Sequence, residues 1–216
     1  MTVHSPIPDF AAARAAMIES QLRPQGVTDR RVLDAMGEIA RERFVPEPVR
    51  PLAYSDRAIA LGKDRYLPAP AVLGQLLTAM ATEPGQRALV VAAATGYSAA
   101  VLAGMELTVV AVESEPDFVK AARELGVEIL QGPPEAGYRK GGPYDHILID
   151  GAVEQIPDAI IDQLGEGGRL GTALIDRGIT RLIVGRKAGG AFGYLSIGDS
   201  GVPALPSFIR PKAFTF

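Results

Sequence analysis

The spacing of apolar positions changes character twice along the chain. Up to Met80 they recur at helical intervals. Phe10, Ala13 and Met17, with Gln21 on the same side, follow a capping Asp9 in a helix expected to run to about Leu22. Val32, Leu33, Met36 and Ile39 form a second stripe behind Thr28, read as its cap. Val72, Leu73, Leu76, Leu77 and Met80 form a third behind Pro68-Ala69-Pro70, and Pro70 suits a first helical turn, where its missing N–H has no partner to lose. Phe44 to Leu67 shows no period, so it is either a functional loop or a cover for short elements. Residues 1–8 read as a loose tail.

The second rhythm begins at Arg87. Ala88 to Val91 is a short continuous apolar run between Pro84-Gly85 and Gly96, the pattern of a strand buried on both faces. Tyr97, Val101 and Leu102 then repeat at helical spacing. Leu107 to Val112 is a second strand ending in Glu113, and Glu115-Pro116 opens a helix that Gly126 closes. Val127–Leu130 and Asp145–Asp150 read as strands around a Gly/Pro-rich loop, Gln131 to Pro143. A short helix over Ile156–Leu164 and a turn at Gly165–Gly168 follow.

The third rhythm is strand after strand: Arg169–Ile175, Thr180–Arg186 and Ala191–Ile197, with hairpin turns at Asp176-Arg177-Gly178 and Ala188-Gly189-Gly190. The expected fold class is α/β: a doubly wound, mainly parallel seven-stranded sheet, antiparallel at one end, with N-terminal helices. Residues 1–216 are expected to form one domain, with 1–80 as a helical and loop region and 81–216 as the core. After Gly198, Ser207-Phe208-Ile209 and Phe214-Thr215-Phe216 are expected to pack on the sheet edge.

Composition narrows the chemistry. A net charge of −3 gives no electrostatic footprint for nucleic acid. The chain has no cysteine, which excludes disulfides and thiolate metal sites. Its two histidines, His4 and His146, are too far apart in sequence to suggest a metal site, and His146 inside a strand reads as structural. No run approaches the roughly 18 apolar residues needed to span a bilayer. The N-terminus lacks the basic-then-apolar signature of a signal peptide, so the chain reads as cytoplasmic.

The stretch from Arg87 to Ala103 is where a ligand is expected. In a strand–turn–helix unit the ligand sits over the turn, at the helix N-terminus. Glu113, at the end of the second strand, is positioned to accept hydrogen bonds from ribose hydroxyls. Such turns favour glycine, because the backbone bends sharply and the ligand comes close. Here Ala92, Ala93 and Ala94 stand in the turn and only Gly96 remains. The alternative is a plain packed corner that binds nothing.

Several separated passages then carry a family likeness. Met17 to Glu47, Ala53-Tyr54-Ser55-Asp56, Gly96 to Ala103 and Pro143 to Pro157 resemble protein-L-isoaspartate O-methyltransferases, in the same order. The resemblance implies a Rossmann-like class I methyltransferase fold with S-adenosylmethionine as cofactor. The implied activity is protein repair, by methyl esterification of isoaspartyl carboxylates in a protein or peptide. It also implies a cofactor site at Ala92, Ala94, Thr95, Gly96, Tyr97, Glu113 and Gly132.

Three positions depart from the family pattern. The turn motif E-x-G-x-G-x-G reads Val90 to Gly96, with Ala92 and Ala94 for two glycines. Gly-Asp-Gly after the third strand reads Gly132-Pro133-Pro134. A Ser or Thr of the substrate loop, two residues before a proline, is Pro68.

Candidates for the chemistry itself are Arg65, Tyr66 and Asp150. Arg65 either clamps a carboxylate or is a solvated loop residue. Asp150 either contacts donor or substrate, or makes a tight turn with Gly151. Tyr97 packs either on the cofactor edge or in the core. Two functional readings follow: a working carboxyl methyltransferase, or a catalytically impaired methyltransferase fold kept as a binding or assembly module.

Overall fold

A parallel strand inside a sheet needs apolar side chains on both faces, and β3 (Arg87–Val91) supplies them. Ala88 and Val90 join one apolar cluster, Leu89 and Val91 the other. The computed structural model describes residues 9–210. The tail expected at residues 1–8 and the Phe214-Thr215-Phe216 segment lie outside that range.

Around β3 the chain adds β4 (Thr108–Glu113), β5 (Ile129–Gln131), β6 (Tyr144–Val153), β7 (Leu164–Asp176), β8 (Ile179–Ala188) and β9 (Ala191–Asp199). These make one sheet of seven strands, in the order β5-β4-β3-β6-β7-β8-β9. Pairing is parallel from β5 to β7 and antiparallel from β7 to β9, as expected. Each hairpin turn at the antiparallel end carries two left-handed residues, Arg177-Gly178 and Gly189-Gly190, which matches the strand twist.

One face of the sheet is covered by α1 (Phe10–Met17), α2 (Arg30–Glu38), α3 (Pro70–Met80) and α4 (Tyr97–Gly104). Their apolar stripes, with Met17, Val32, Met36, Leu77 and Met80, share a cluster with Val90 and Leu148. The other face packs Ile147, Ile149, Val153, Ile160 and Phe208. α5 (Pro116–Glu124) and α6 (Asp158–Ile161) complete the βα units.

The elements differ from expectation at specific points. Asp29, not Thr28, caps α2, because its side chain reaches the Arg31 N–H at 2.9 Å. The first helix keeps α geometry only to Met17, and Ile18–Leu22 continues as a wider π turn. The helix expected over Ile156–Leu164 shrinks to α6. Leu164 is recruited into β7, opposite Tyr144, so the expected turn at Gly165–Gly168 lies within that strand.

Phe208 is buried, but not on a sheet edge. Its segment pairs with the end of β6, through Leu205 N–H to the Ala152 carbonyl and Glu154 N–H to the Phe208 carbonyl. The unpatterned stretch hides two 3-10 turns, Arg41–Phe44 and Glu47–Leu52, and a hairpin of β1 (Ile59–Gly62) and β2 (Arg65–Leu67).

Leu148 lies in β6, between β3 and β7, with 1% exposure. Leu148→Ala should therefore destabilise the protein by about 2–5 kcal/mol in urea unfolding. A loss below about 1 kcal/mol would mean that this face of the sheet repacks freely.

Candidate active site

Ligands of doubly wound sheets bind where the strand order reverses, outside the carboxyl ends of the strands. That point here lies between β3 and β6, which are paired while β4 and β5 run off to the other side. Three segments meet there: the turn Ala92 to Gly96, the end of β4 at Glu113, and Asp150 in β6.

The turn is left-handed at three positions, with φ of 59° at Ala92, 46° at Ala94 and 89° at Gly96. Only glycine takes that region without cost, and an alanine there costs about 1–2 kcal/mol. The two missing glycines are thus strained alanines in the free protein. Gly96 has a further reason to remain: a Cβ there would lie 3.0 Å from Val127 Cγ1.

Glu113 is fully buried. One carboxylate oxygen accepts the Ala94 N–H at 2.7 Å, which ties it to the turn. The other accepts the N–H groups of Ser114 at 2.8 Å and Glu115 at 3.1 Å. Arg65 completes the shell, with Nη1 at 2.9 Å from the carboxylate, while Nη2 donates to the Ala92 carbonyl. Arg65 is only 6% exposed, so it is not a solvated loop residue. The carboxylate it clamps is the chain's own. Tyr66, next along β2, points the other way and is 37% exposed.

Gly132 adjoins the acid, its N–H donating to the Glu113 carbonyl at 3.0 Å. The Thr95 hydroxyl is committed to the Phe44 carbonyl at 2.7 Å. Tyr97 is wholly buried, edge-on to Phe44 with ring centroids 5.4 Å apart, so it packs in the core. The structure thus gathers Arg65, Ala92, Ala94, Gly132 and Glu113 in one place. It sets Tyr66 and Tyr97 apart from them.

Asp150 makes no tight turn. The strand runs on through Gly151 to Val153, and only its register to β7 slips between Leu148 and Ala152. Burial pushes the Asp150 carboxyl up to about 6, against the pull of a 2.6 Å bond from the Ser98 hydroxyl and of the Arg65 and Arg41 charges. Arg41 was not anticipated from sequence. It is the largest of the wholly buried side chains among the described residues. Its Nε donates to the Ala53 carbonyl at 2.7 Å, its Nη2 donates to the Pro68 carbonyl, and its guanidinium lies 4.8 Å over the Tyr97 ring. Nothing in the charged run Arg41-Glu42-Arg43 marks it out from a solvated helix end. Ser98 was missed too; its only signal is a polar residue one position into α4.

Among the described residues, no helix is long and apolar enough to cross a membrane. Nor, among them, is any group of three or more His, Cys, Asp or Glu placed to hold a metal ion.

Comparison with known proteins bears on this geometry. Residues 12–189 match the profile of the protein-L-isoaspartate(D-aspartate) O-methyltransferase (PCMT) family. A protein-L-isoaspartate O-methyltransferase of Methylorubrum populi is 39% identical over 165 residues, covering 74% of this chain and 78% of its own. A solved protein-L-isoaspartate O-methyltransferase aligns with a TM-score of 0.77 at 23% identity, over 89% of this chain and 65% of the other, just under two thirds of that protein. A Plasmodium falciparum protein of the same description, in complex with S-adenosyl-L-homocysteine, aligns with a TM-score of 0.77 at 20% identity, over 90% and 98%. At these identities the two structures establish the fold.

The buried titrating groups give this sheet a pH signature. Asp150 stands above its ordinary 3.8, so its contribution to stability is whole below pH 3.8 and is lost as pH rises through about 6. His146 is buried against the Gln86 side chain at 2.7 Å, and burial holds it down to about 4. Its contribution is whole above pH 6.5 and is lost as pH falls through about 4. Each shift is worth about 3 kcal/mol and the two oppose each other. Asp150→Asn should unmask the histidine. Urea unfolding between pH 7 and 4 should show the variant losing about 3 kcal/mol relative to the parent. A difference independent of pH would contradict these assignments.

Proposed function

This chain belongs to the protein-L-isoaspartate(D-aspartate) O-methyltransferase family, and we propose that it is an S-adenosylmethionine-dependent methyltransferase that esterifies isoaspartyl carboxylates in proteins. The observation that carries the reading is the family match across residues 12–189, which takes in the turn, Glu113 and Asp150 together. The proposed setting is the cytoplasm, where proteins that accumulate isoaspartyl residues are within its reach.

The site tolerates this chemistry without a histidine or a cysteine. An acceptor carboxylate is already ionised at pH 7. What the reaction asks of the protein is alignment and the exclusion of water. Arg41 supports the first, because its hold on the Ala53 and Pro68 carbonyls fixes the loop that leads into α3. We assign the acceptor to the edge formed by Pro68 and Asp150, which line a cavity of about 10 Å³ with Val72 and Leu73, too small to take an isoaspartyl carboxylate inside it.

The nucleoside half does not fit as it stands. The Glu113 oxygens already accept from four residues, and Arg65 covers both the acid and the turn. That closure is the one observation favouring the second reading, a methyltransferase fold kept as a binding or assembly module. As the proposed cofactor residues we retain Ala92, Ala94, Thr95, Gly96, Glu113 and Gly132.

The acceptor assignment has a direct assay: tritiated methyl transfer to an isoaspartyl peptide beside its aspartyl control. Transfer should be slow and confined to the isoaspartyl peptide. Pro68→Ser restores a hydroxyl worth about 1.5–3 kcal/mol to a bound carboxylate. It should therefore raise turnover by about 10-fold or more. Equal transfer to both peptides, or none, would contradict the proposed activity, and no gain with Pro68→Ser would contradict the hydroxyl argument.

A further inference from the structure

The hairpin β1–β2 stands in an unusual relation to the site. Its tip is left-handed at three successive residues, with φ of 95° at Gly62, 54° at Lys63 and 54° at Asp64, two of them side-chain-bearing. Such a tip persists only where the surroundings hold it. Two contacts do so. Lys63 Nζ lies 3.4 Å from Glu115 and 3.9 Å from Asp117, in the segment just after Glu113. Arg65 reaches inward to Glu113 and to the Ala92 carbonyl.

The second contact is incomplete. Arg65 Nε is buried without any partner, although the rest of the guanidinium is bonded. A guanidinium with an unmade bond pays the desolvation of that N–H for nothing in return. Its guanidinium meanwhile bridges the acid of β4 and the Ala92 carbonyl of the turn after β3. A nucleoside lying over the turn, with its ribose hydroxyls on the acid, needs the same two groups.

We propose that Arg65 is an internal occupant of the nucleoside site: an S-adenosyl nucleoside binds by displacing its guanidinium from Glu113 and Ala92, so that this side chain sets the affinity for the cofactor. The inference rests on the cofactor reading above. No covalent step is involved. One set of donors on the Glu113 carboxylate is exchanged for another, and the strained hairpin tip is freed to relax as Arg65 leaves. The ligand meets an acid that is already held by the Ala94, Ser114 and Glu115 N–H groups.

The test is calorimetric titration of the full chain with S-adenosylhomocysteine, for the parent and for Arg65→Met, which keeps the apolar stem and removes the donors. If the parent spends most of its time closed, its apparent affinity is reduced by the open fraction, so the variant should bind about tenfold tighter or more. A second measurement avoids the variant altogether. Phenylglyoxal labelling of Arg65 in the parent, read by peptide mass, should be slow in the free protein and faster with S-adenosylhomocysteine present. Equal or weaker binding by a folded Arg65→Met would overturn the proposal, as would labelling that the ligand leaves unchanged or slows. Absence of binding by both proteins, each shown to be folded by thermal melting, would overturn the cofactor reading and this inference with it.

Discussion

A carboxylate with no access to water is tolerated only when donors surround it. Glu113 is such a group, and the arrangement of the site follows from supplying those donors. The Ala94 N–H can reach it only because the turn after β3 folds back left-handed, at the expense of two strained alanines. The Ser114 and Glu115 N–H groups reach it because the chain curls around the end of β4 before α5 begins. The charge itself is met by Arg65, which draws a hairpin from outside the sheet across the carboxyl ends of β3 and β4. Removing either partner of a buried pair of this kind strands the other, so acid, turn and hairpin form one unit.

A second buried pair works differently. Arg41 and Asp150 feel each other's charge but share no hydrogen bond. Arg41 is satisfied by the Ala53 and Pro68 carbonyls, Asp150 by the Ser98 hydroxyl. Asp150 is left closer to neutrality than an ordinary carboxyl, beside a small apolar cavity. Two carboxylates at one sheet edge thereby sit in different surroundings: Glu113 is ringed by donors, while burial pushes Asp150 toward protonation.

The central strands were legible because a parallel strand buried on both faces must be a continuous apolar run, and Ala88–Val91 is one. Glu113 was legible for the same reason, as the acid that ends the next run. The antiparallel end was legible through Gly178 and the Gly189-Gly190 pair. The β1–β2 hairpin was not. Its strands are three and four residues long, too short to show a period, and its tip uses Lys63 and Asp64 where a hairpin turn would advertise glycine or asparagine. With the hairpin hidden, the choice between a carboxylate clamp and a solvated loop residue stayed open for Arg65, since its partner lies 48 positions away. Arg41 was hidden likewise: its partners are backbone carbonyls, which leave no mark in a sequence. The helix expected up to Leu164 failed because pairing with β6 outweighed local helical spacing.

The account turns on what happens at Glu113 when a nucleoside arrives. A crystal structure of the full chain grown with S-adenosylhomocysteine reads this directly. The account predicts ribose hydroxyls within hydrogen-bond distance of the Glu113 carboxylate, the Ala94 N–H still bonded to it, and the Arg65 guanidinium withdrawn from both Glu113 and the Ala92 carbonyl. A structure with the nucleoside bound elsewhere, or seated over the turn while Arg65 remains on Glu113, would contradict it.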